Sequence, residues 1–303
     1  MTNGNGILLK PGTLAGALDA RMRSALQSGV LQPIHTDQTV VEDGGVRFLV
    51  RVVSSLRRKE AEKRHGKSQG QEREKRANPF LPPEPDLTVG EVSRTHVAVL
   101  NKFNVLERHL LIVTRAFEDQ ESLLTIDDFR ALFVSMAECD GLGFYNGGVA
   151  AGASQVHKHL QLVPACAGPG APAFPMEPLL TGTGARCPGL HFRHAFGRLG
   201  APIGNDPVRA ASEALTLYLD LLSRLGIEAV SRDGNQYQSA PYNLLVAHDW
   251  MLAVPRVQEC YLSVSINALG FAGSLFVKER KQLEVIRSAG PMRALEVVAG
   301  GFA

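Results

Sequence analysis

The sequence predicts an α+β protein built on a mostly antiparallel sheet with flanking helices. Strand-like runs come in adjacent pairs joined by short polar turns, THVAVL (95–100) with HLLIVTR (109–115) and the two arms of APYNLLVAHDWMLAVPR (240–256). Helical periodicity falls between those pairs and does not follow every strand. The chain is also long enough, at 303 residues and 45% hydrophobic, to bury a real core.

Taken in order, Leu14, Leu18, Met22 and Leu26 recur at helical spacing across residues 13–30, with Gly29 as the stop. Gly45–Leu56 carries the β-branched run VRFLVRVV and reads as strand. Residues 57–76 read as a charged, flexible loop, with a basic arm that meets phosphates as the alternative, and NPFLPPEP (78–85) reads as an extended, proline-stiffened lead into the first hairpin, whose turn is NKFNVLER. Residues 125–139 form a helix, with Thr125 as N-cap, Asp127 and Asp128 in the first turn, and Phe129, Leu132, Phe133 and Met136 on the apolar face. GLGFYNGGVAAGASQ (141–155) reads as a Gly/Ala-rich connection into the strand VHKHLQLVP, ended by Pro164. The Pro/Gly/Ala-rich stretch 164–188 marks a boundary and divides the chain into parts 1–180 and 181–303. In the second part, 191–199 reads as strand, Ala210–Leu225 as a helix stopped by Gly226, and 240–256 as strand–turn–strand. The likeness of the two hairpins leaves an internal duplication open.

Composition narrows the function. The net charge is +2, yet residues 57–76 alone hold nine Lys/Arg and four Glu, so the rest of the chain is slightly acidic. Basicity confined to one segment speaks against a nucleic-acid-binding face. No apolar run approaches 18 residues and no secretory leader is visible, so neither a membrane partner nor export is expected and the predicted compartment is cytoplasmic. The four cysteines, Cys139, Cys166, Cys187 and Cys260, contain no CxxC pair, against a disulfide framework or a cysteine-built zinc site. Gly66-Lys67-Ser68 is no P-loop, because Ala61 stands where the first glycine would fall.

The chemistry concentrates at 155–163. In a strand, His157, His159 and Gln161 share one face, while Leu160 and Leu162 turn towards a core. Lys158 shares the leucine face, which places it near the strand's open end. Two imidazoles and an amide in a row suit group transfer, since a neutral imidazole is a nucleophile near pH 7 and its neighbours orient it and hold phosphoryl oxygens. Upstream, Asn146-Gly147-Gly148 and Gly152-Ala153-Ser154-Gln155 supply small residues and backbone N–H groups that cradle an anion. Metal ligation and plain surface histidines are the alternatives, and no third ligand sits nearby in sequence to complete a metal site. His191 and His194 offer a further nucleotide or metal contact, and Trp250 and Phe103 either stack a base or pack the core.

These residues resemble the histidine-triad superfamily, His-x-His-x-His with apolar residues between, in the glutamine variant found in nucleotidyltransferases. More closely, YNGGxxAGASQxHKHLQ, with LNKFNV…HLLIVTR, NPFLP (78–82), YNLLVAHDWMLAVPR and INALGFAGSLFVK (266–278), resembles the diadenosine tetraphosphate phosphorylase (ATP adenylyltransferase) family over residues 45–297. The resemblance implies a histidine-triad-like catalytic part in 1–180, a C-terminal part in 181–303 that completes the substrate site, and phosphorolysis of diadenosine tetraphosphate to ADP and ATP, with ADP-sulfurylase chemistry as a side activity. It makes His159 the nucleophile, His157 its orienting partner and Gln161 the holder of α-phosphate oxygens. It also implies substrate contacts by Ser154, Gln155, Gly152, Ala153, Asn146, Asn101 and Lys102, by Lys59 in SSLRRK, and by Asn267, Gly273 and Lys278. For Lys278 a plain surface lysine after a strand is the alternative. No tightly bound cofactor is expected, Mg²⁺ or Mn²⁺ accompanying the polyphosphate, and the protein is expected to be a monomer or small homo-oligomer. Three rivals stand beside this reading. One is a hydrolase of the same substrate, and another a hexose-1-phosphate uridylyltransferase, where proline usually stands at the place of Lys158. The third is a catalytically silent dinucleotide sensor.

Overall fold

The computed structural model describes residues 6–53, 78–165, 173–181, 186–200, 203 and 206–301. Lys59, Cys166 and the charged segment 57–76 lie outside them. The first helix, α1 (Leu14–Gln27), is followed by β1 (Thr36–Asp43), β2 (Val46–Val53), β3 (Thr88–Glu91), β4 (His96–Leu100) and β5 (Leu110–Thr114). Next come α2 (Ile126–Met136), β6 (Gly141–Gly147), β7 (His159–Pro164), β8 (Ala195–Arg198) and α3 (Pro207–Arg224). The remainder is β9 (Ala229–Arg232), β10 (Asn235–Gln238), β11 (Tyr242–Val246), β12 (Trp250–Pro255), β13 (Cys260–Tyr261), β14 (Val264–Ser265), the short α4 (Ala268–Phe271), β15 (Ser274–Val277), α5 (Arg280–Ala289) and α6 (Pro291–Ala299). No helix among the described residues is long and apolar enough to cross a membrane.

One antiparallel sheet of eight strands, in the order β3-β4-β5-β7-β6-β11-β12-β8, organises the molecule. The two predicted hairpins, β4–β5 and β11–β12, flank the central β7–β6 pair, and β6 joins β11, so the sheet runs through both parts of the chain. One face packs against α1, α2 and α3 through Leu18, Phe129, Phe133 and Tyr218, meeting Ile112, Leu160 and Leu162 from the sheet. The other face presents Leu142, Phe144, Leu245 and Leu252 to β2, β15, α5 and α6. There β1 and β2 form an antiparallel pair, to which β15 adds in parallel.

Local sequence explains most boundaries. Thr125 and Asp128 form a reciprocal capping box at the start of α2, and Asp206 caps α3 ahead of Pro207, three residues before the predicted start. The stretch predicted as a connection, 141–147, is instead the fully buried strand β6. Gly143 serves packing: a Cβ there would lie 3.0 Å from the Leu132 methyls, so a larger residue would push Leu132 of α2 aside by a few tenths of an ångström. The histidine strand begins at His159, later than predicted. Residues 156–158 pair instead with the segment 118–120, through Gln120 N–H to Val156 O (2.8 Å) and Lys158 N–H to Glu118 O (2.8 Å). Sequence reading also passed over the β9–β10 hairpin, although Asp233-Gly234 is a hairpin-turn signal.

Candidate active site

His159 opens β7 and is 4% exposed. Its Nδ1–H donates to the His157 carbonyl at 2.8 Å, which fixes the neutral tautomer and leaves the Nε2 lone pair uncommitted among the described residues. Burial pushes its pKa down to about 4, so the ring is neutral at pH 7. Gln120 pins the backbone beneath it: its Oε1 accepts from His159 N–H at 2.9 Å, and its Nε2 donates to the carbonyls of Asn146 (2.9 Å) and His159 (3.3 Å). His157 has both nitrogens occupied, Nε2–H donating to Thr114 O at 2.8 Å and Nδ1 accepting from Asn78 Nδ2 at 2.8 Å. Burial lowers its pKa as well. His157 thus orients through its carbonyl, with its ring locked. Phe80 packs against both rings, centroids 5.6 and 5.4 Å away.

Around His109 and Gln161, the latter on the same strand as His159, lies a cavity of about 340 Å³, and neither His157 nor His159 is among the residues that line it. The fold brings Asn101, Asn146, Gly152, Ser154, Gln161, Asn267 and Lys278 to its wall, together with an apolar side that includes Leu106, Leu275 and Phe276. Gln161 Oε1 accepts from His109 Nε2 at 2.9 Å, and Asn101 Nδ2 donates to His109 Nδ1 at 3.1 Å. Burial, the largest influence, takes the His109 pKa down to about 4, with the Gln161 hydrogen bond opposing it. Asn146 Oδ1 accepts from Asn243 Nδ2 (2.8 Å) and from Ala268 N–H (3.0 Å). Gly152 has a positive φ of 85°, and a Cβ there would lie 2.9–3.0 Å from Asn267, so glycine permits the turn and the contact alike.

Other predicted residues sit elsewhere. Lys102 reaches Glu84 at 2.9 Å on a partly exposed surface. Gly273, with φ of 94°, packs on Pro175 and hands its carbonyl to Leu49 N–H. Ala153 N–H donates to Gly148 O, and Gln155 is exposed. His194 is buried, its Nδ1–H donating to Phe192 O and its Nε2 accepting from Cys187 N–H, while His191 is exposed; His194 is a packing residue. Trp250 is core, tilted against Phe196, whereas Phe103 lines the cavity. Among the described residues no cluster of three or more His, Cys, Asp or Glu is arranged to hold a metal.

Lys158 overturns its expected place at an open strand end, for it is fully buried. Its three ammonium protons meet three acceptors: Asp128 (2.7 Å), Leu123 O (3.0 Å) and Glu118 (3.1 Å). His96 Nε2 completes the cluster at 3.0 Å from Asp128. Burial alone would raise the Asp128 pKa, but Lys158 and His96 together hold the carboxyl well below the usual range. Sequence reading missed His109, Asn78, Thr114, Gln120 and Asn243. For Asn243 a signal existed, a lone amide within an otherwise apolar strand run.

Known proteins place this arrangement. The Ap4A phosphorylase N-terminal domain profile matches residues 4–182, and the ATP adenylyltransferase C-terminal domain profile matches 188–300. The diadenosine 5',5'''-P1,P4-tetraphosphate phosphorylase 2 of Saccharomyces cerevisiae is 30% identical over 244 residues, covering 69% of this chain and 71% of that protein. Protein APA1 of the same organism is 26% identical over 301 residues, 88% of each. The crystal structure of yeast Ap4A phosphorylase Apa2 superposes with a TM-score of 0.75 at 23% identity, covering 97% of this chain and 99% of that one, and a second structure of that enzyme is in complex with Ap4A. The fold is therefore the histidine-triad-like α+β fold that the sequence predicts, and with more than half its length matched by one family profile the chain belongs to the Ap4A phosphorylase (ATP adenylyltransferase) family.

Proposed function

We propose that this protein is a nucleotidyltransferase that phosphorolyses diadenosine tetraphosphate to ADP and ATP, and runs the reverse reaction, through an adenylyl-His159 intermediate. The observation that carries the reading is the His159 ring: buried, neutral, its Nδ1 proton tied to His157 O and its Nε2 uncommitted among the described residues, on the same strand as Gln161, which lines the cavity. In the first step Nε2 attacks an α-phosphorus, the bond from that phosphorus to the bridging oxygen breaks, and ATP leaves with the electron pair. The positive charge left on the imidazole is met by the His157 carbonyl. In the second step an oxygen of inorganic phosphate attacks the adenylyl phosphorus, the P–N bond breaks, and ADP departs. Burial disfavours the imidazolium before attack, which keeps the lone pair available.

Gln161 and Asn146 serve as donors to phosphoryl oxygens, and Ser154, Gln155 and the Gly152-Ala153 backbone meet the polyphosphate. Asn267 and Lys278 face it from the C-terminal part. Asn101 acts behind Gln161, through His109. Lys102 would need to leave Glu84 to reach substrate, and Lys59 and Gly273 enter only by family likeness. Mg²⁺ or Mn²⁺ is taken to arrive with the polyphosphate as part of the substrate. The cytoplasm, where ATP, ADP and phosphate meet, is the compartment that goes with this reaction.

The test is a product assay on diadenosine tetraphosphate with and without phosphate. ADP plus ATP, formed only with phosphate and lost in His159→Asn, is the expected result. AMP plus ATP without phosphate would replace this reading with a hydrolase. Nucleotide binding without turnover would replace it with a silent sensor.

A further inference from the structure

We infer that two hydrogen-bond relays running in from behind the cavity wall, Phe103–Asn101–His109 and Arg256–Asn243, orient the Gln161 and Asn146 amides so that both present N–H donors to the ligand. The inference rests on the phosphoryl-transfer reading of the same cavity and assigns positioning roles to His109, Asn243 and Arg256.

An amide side chain can face a ligand with either end, and nothing in Gln161 or Asn146 itself decides which. Each relay starts from a group that has no choice. The Phe103 backbone N–H can only donate, and it takes Asn101 Oδ1 at 3.3 Å. That leaves Asn101 Nδ2 for His109 Nδ1, which must accept, so the neutral His109 carries its proton on Nε2. Nε2–H takes Gln161 Oε1, and Gln161 Nε2, with no hydrogen-bond partner among the described residues, faces the cavity.

The second relay has the same logic. Arg256 is 3% exposed and has no carboxylate partner within ion-pair distance among the described residues; its guanidinium donates to Val298 O, Gln258 O, Glu259 O and, at 2.6 Å, Asn243 Oδ1. Asn243 Nδ2 must then donate, and it does so to Ala151 O and Asn146 Oδ1, both at 2.8 Å. Ala268 N–H takes the same Asn146 oxygen, so Asn146 Nδ2 is the end left for the cavity. Reversed, either amide would set an oxygen against a phosphoryl oxygen, where each donor in place strengthens as charge develops. Burying an arginine with no counter-charge in contact is costly, and fixing a donor at the site is what that cost obtains here.

The test inverts one relay with isosteric change. In Asn101→Asp the carboxylate accepts from both neighbours, so the neutral His109 places its proton on Nδ1 and its Nε2 becomes an acceptor. Gln161 then turns its oxygen to the ligand, unless His109 is doubly protonated. The titratable and charged groups facing His109, namely His159 on β7 and Lys278 across the cavity, are the same in wild type and variant.

The expected result is a kcat that falls 10-fold or more as pH rises through the new, raised His109 pKa, where wild type is flat. His109→Phe is expected to lower kcat about 10- to 100-fold at unchanged Tm. Asn243→Asp is expected to weaken ADP binding about 10-fold, and that loss should vanish in an Asn146→Ala background. A wild-type-shaped pH profile in Asn101→Asp, or an Asn243→Asp loss that persists without the Asn146 amide, would overturn the relays. Wild-type turnover decides the reaction itself; should it fail, the pH dependence of ADP affinity in Asn101→Asp and the ADP affinity of Asn243→Asp still decide the relays.

Discussion

Lys158 and His159 are neighbours in the chain and sit in polar clusters on opposite faces, and the clusters are built differently. Around Lys158 every charge is answered: the ammonium has three acceptors, and Asp128 receives Lys158, His96 and the Thr125 cap. Around His159 the groups at the wall are neutral apart from Lys278, with Arg256 behind them, and among the described residues the chains of hydrogen bonds stop short, at His159 Nε2, Gln161 Nε2 and Asn146 Nδ2. A closed cluster returns its free energy as conformational stability and register. An open one spends part of that stability on groups aimed at something absent from the fold.

That contrast can be broken most directly by mutation on each face. His159→Asn is expected to abolish turnover, on the order of 10³-fold or more, while leaving Tm within a few degrees, measured by product assay and thermal unfolding. Lys158→Met is expected to do the reverse, destabilising by about 3–5 kcal/mol in denaturant unfolding because Asp128 keeps its burial without its counter-charge. A stable Lys158→Met protein without activity would show that the two faces do not divide the work.

Acid titration sharpens the division. His159 and His109 have folded pKa values of about 4, below the unfolded value of 6.5, so the folded state binds fewer protons between those limits. Their contribution is complete above pH 6.5 and lost as pH falls towards 4, at about 1.4 kcal/mol per pH unit for each group. The Asp128 carboxyl is depressed from 3.8, so its contribution is complete above that value and lost only below it. Denaturant midpoints between pH 7 and 3 should therefore fall in two stages, and a His159→Asn, His109→Phe double variant should shrink the first, leaving the part due to His157 and His194, whose pKa values burial also lowers. The smallest effect belongs to a pair in neither cluster. Lys102→Ala removes an exposed contact with Glu84 and is expected to shift stability by less than about 1 kcal/mol and KM by less than about twofold.

What could be read from the sequence follows from where the physics is local. The hairpins, the α2 cap and the alternation of His159 and Gln161 against Leu160 and Leu162 are written within a few residues, and the structure follows them. β6 was illegible because its glycines answer to distant neighbours, Gly141 to Val163 on β7, Gly143 to Leu132 and Met136 on α2, and Gly147 to Gln238 and Tyr242. Lys158 was misplaced because its acceptors lie 30 to 40 residues upstream, at Glu118, Leu123 and Asp128. The motif named the groups at the cavity; the relays that turn them are spread from Asn101 to Arg256, and no spacing rule connects those positions.

The seam between β6 and β11 has a practical side. Tyr242 to Val246 pair with Gly147 back to Gly143, five rungs deep inside the sheet. Expressed separately, residues 1–180 would end their sheet at a bare β6, and residues 181–303 at a bare β11. Each edge is wholly buried in the intact protein and, Asn146 and Asn243 apart, largely apolar. Such pieces are expected to behave as complementary fragments, insoluble or self-pairing when made alone and active when made together, as in a split reporter whose signal is the joining of its own sheet.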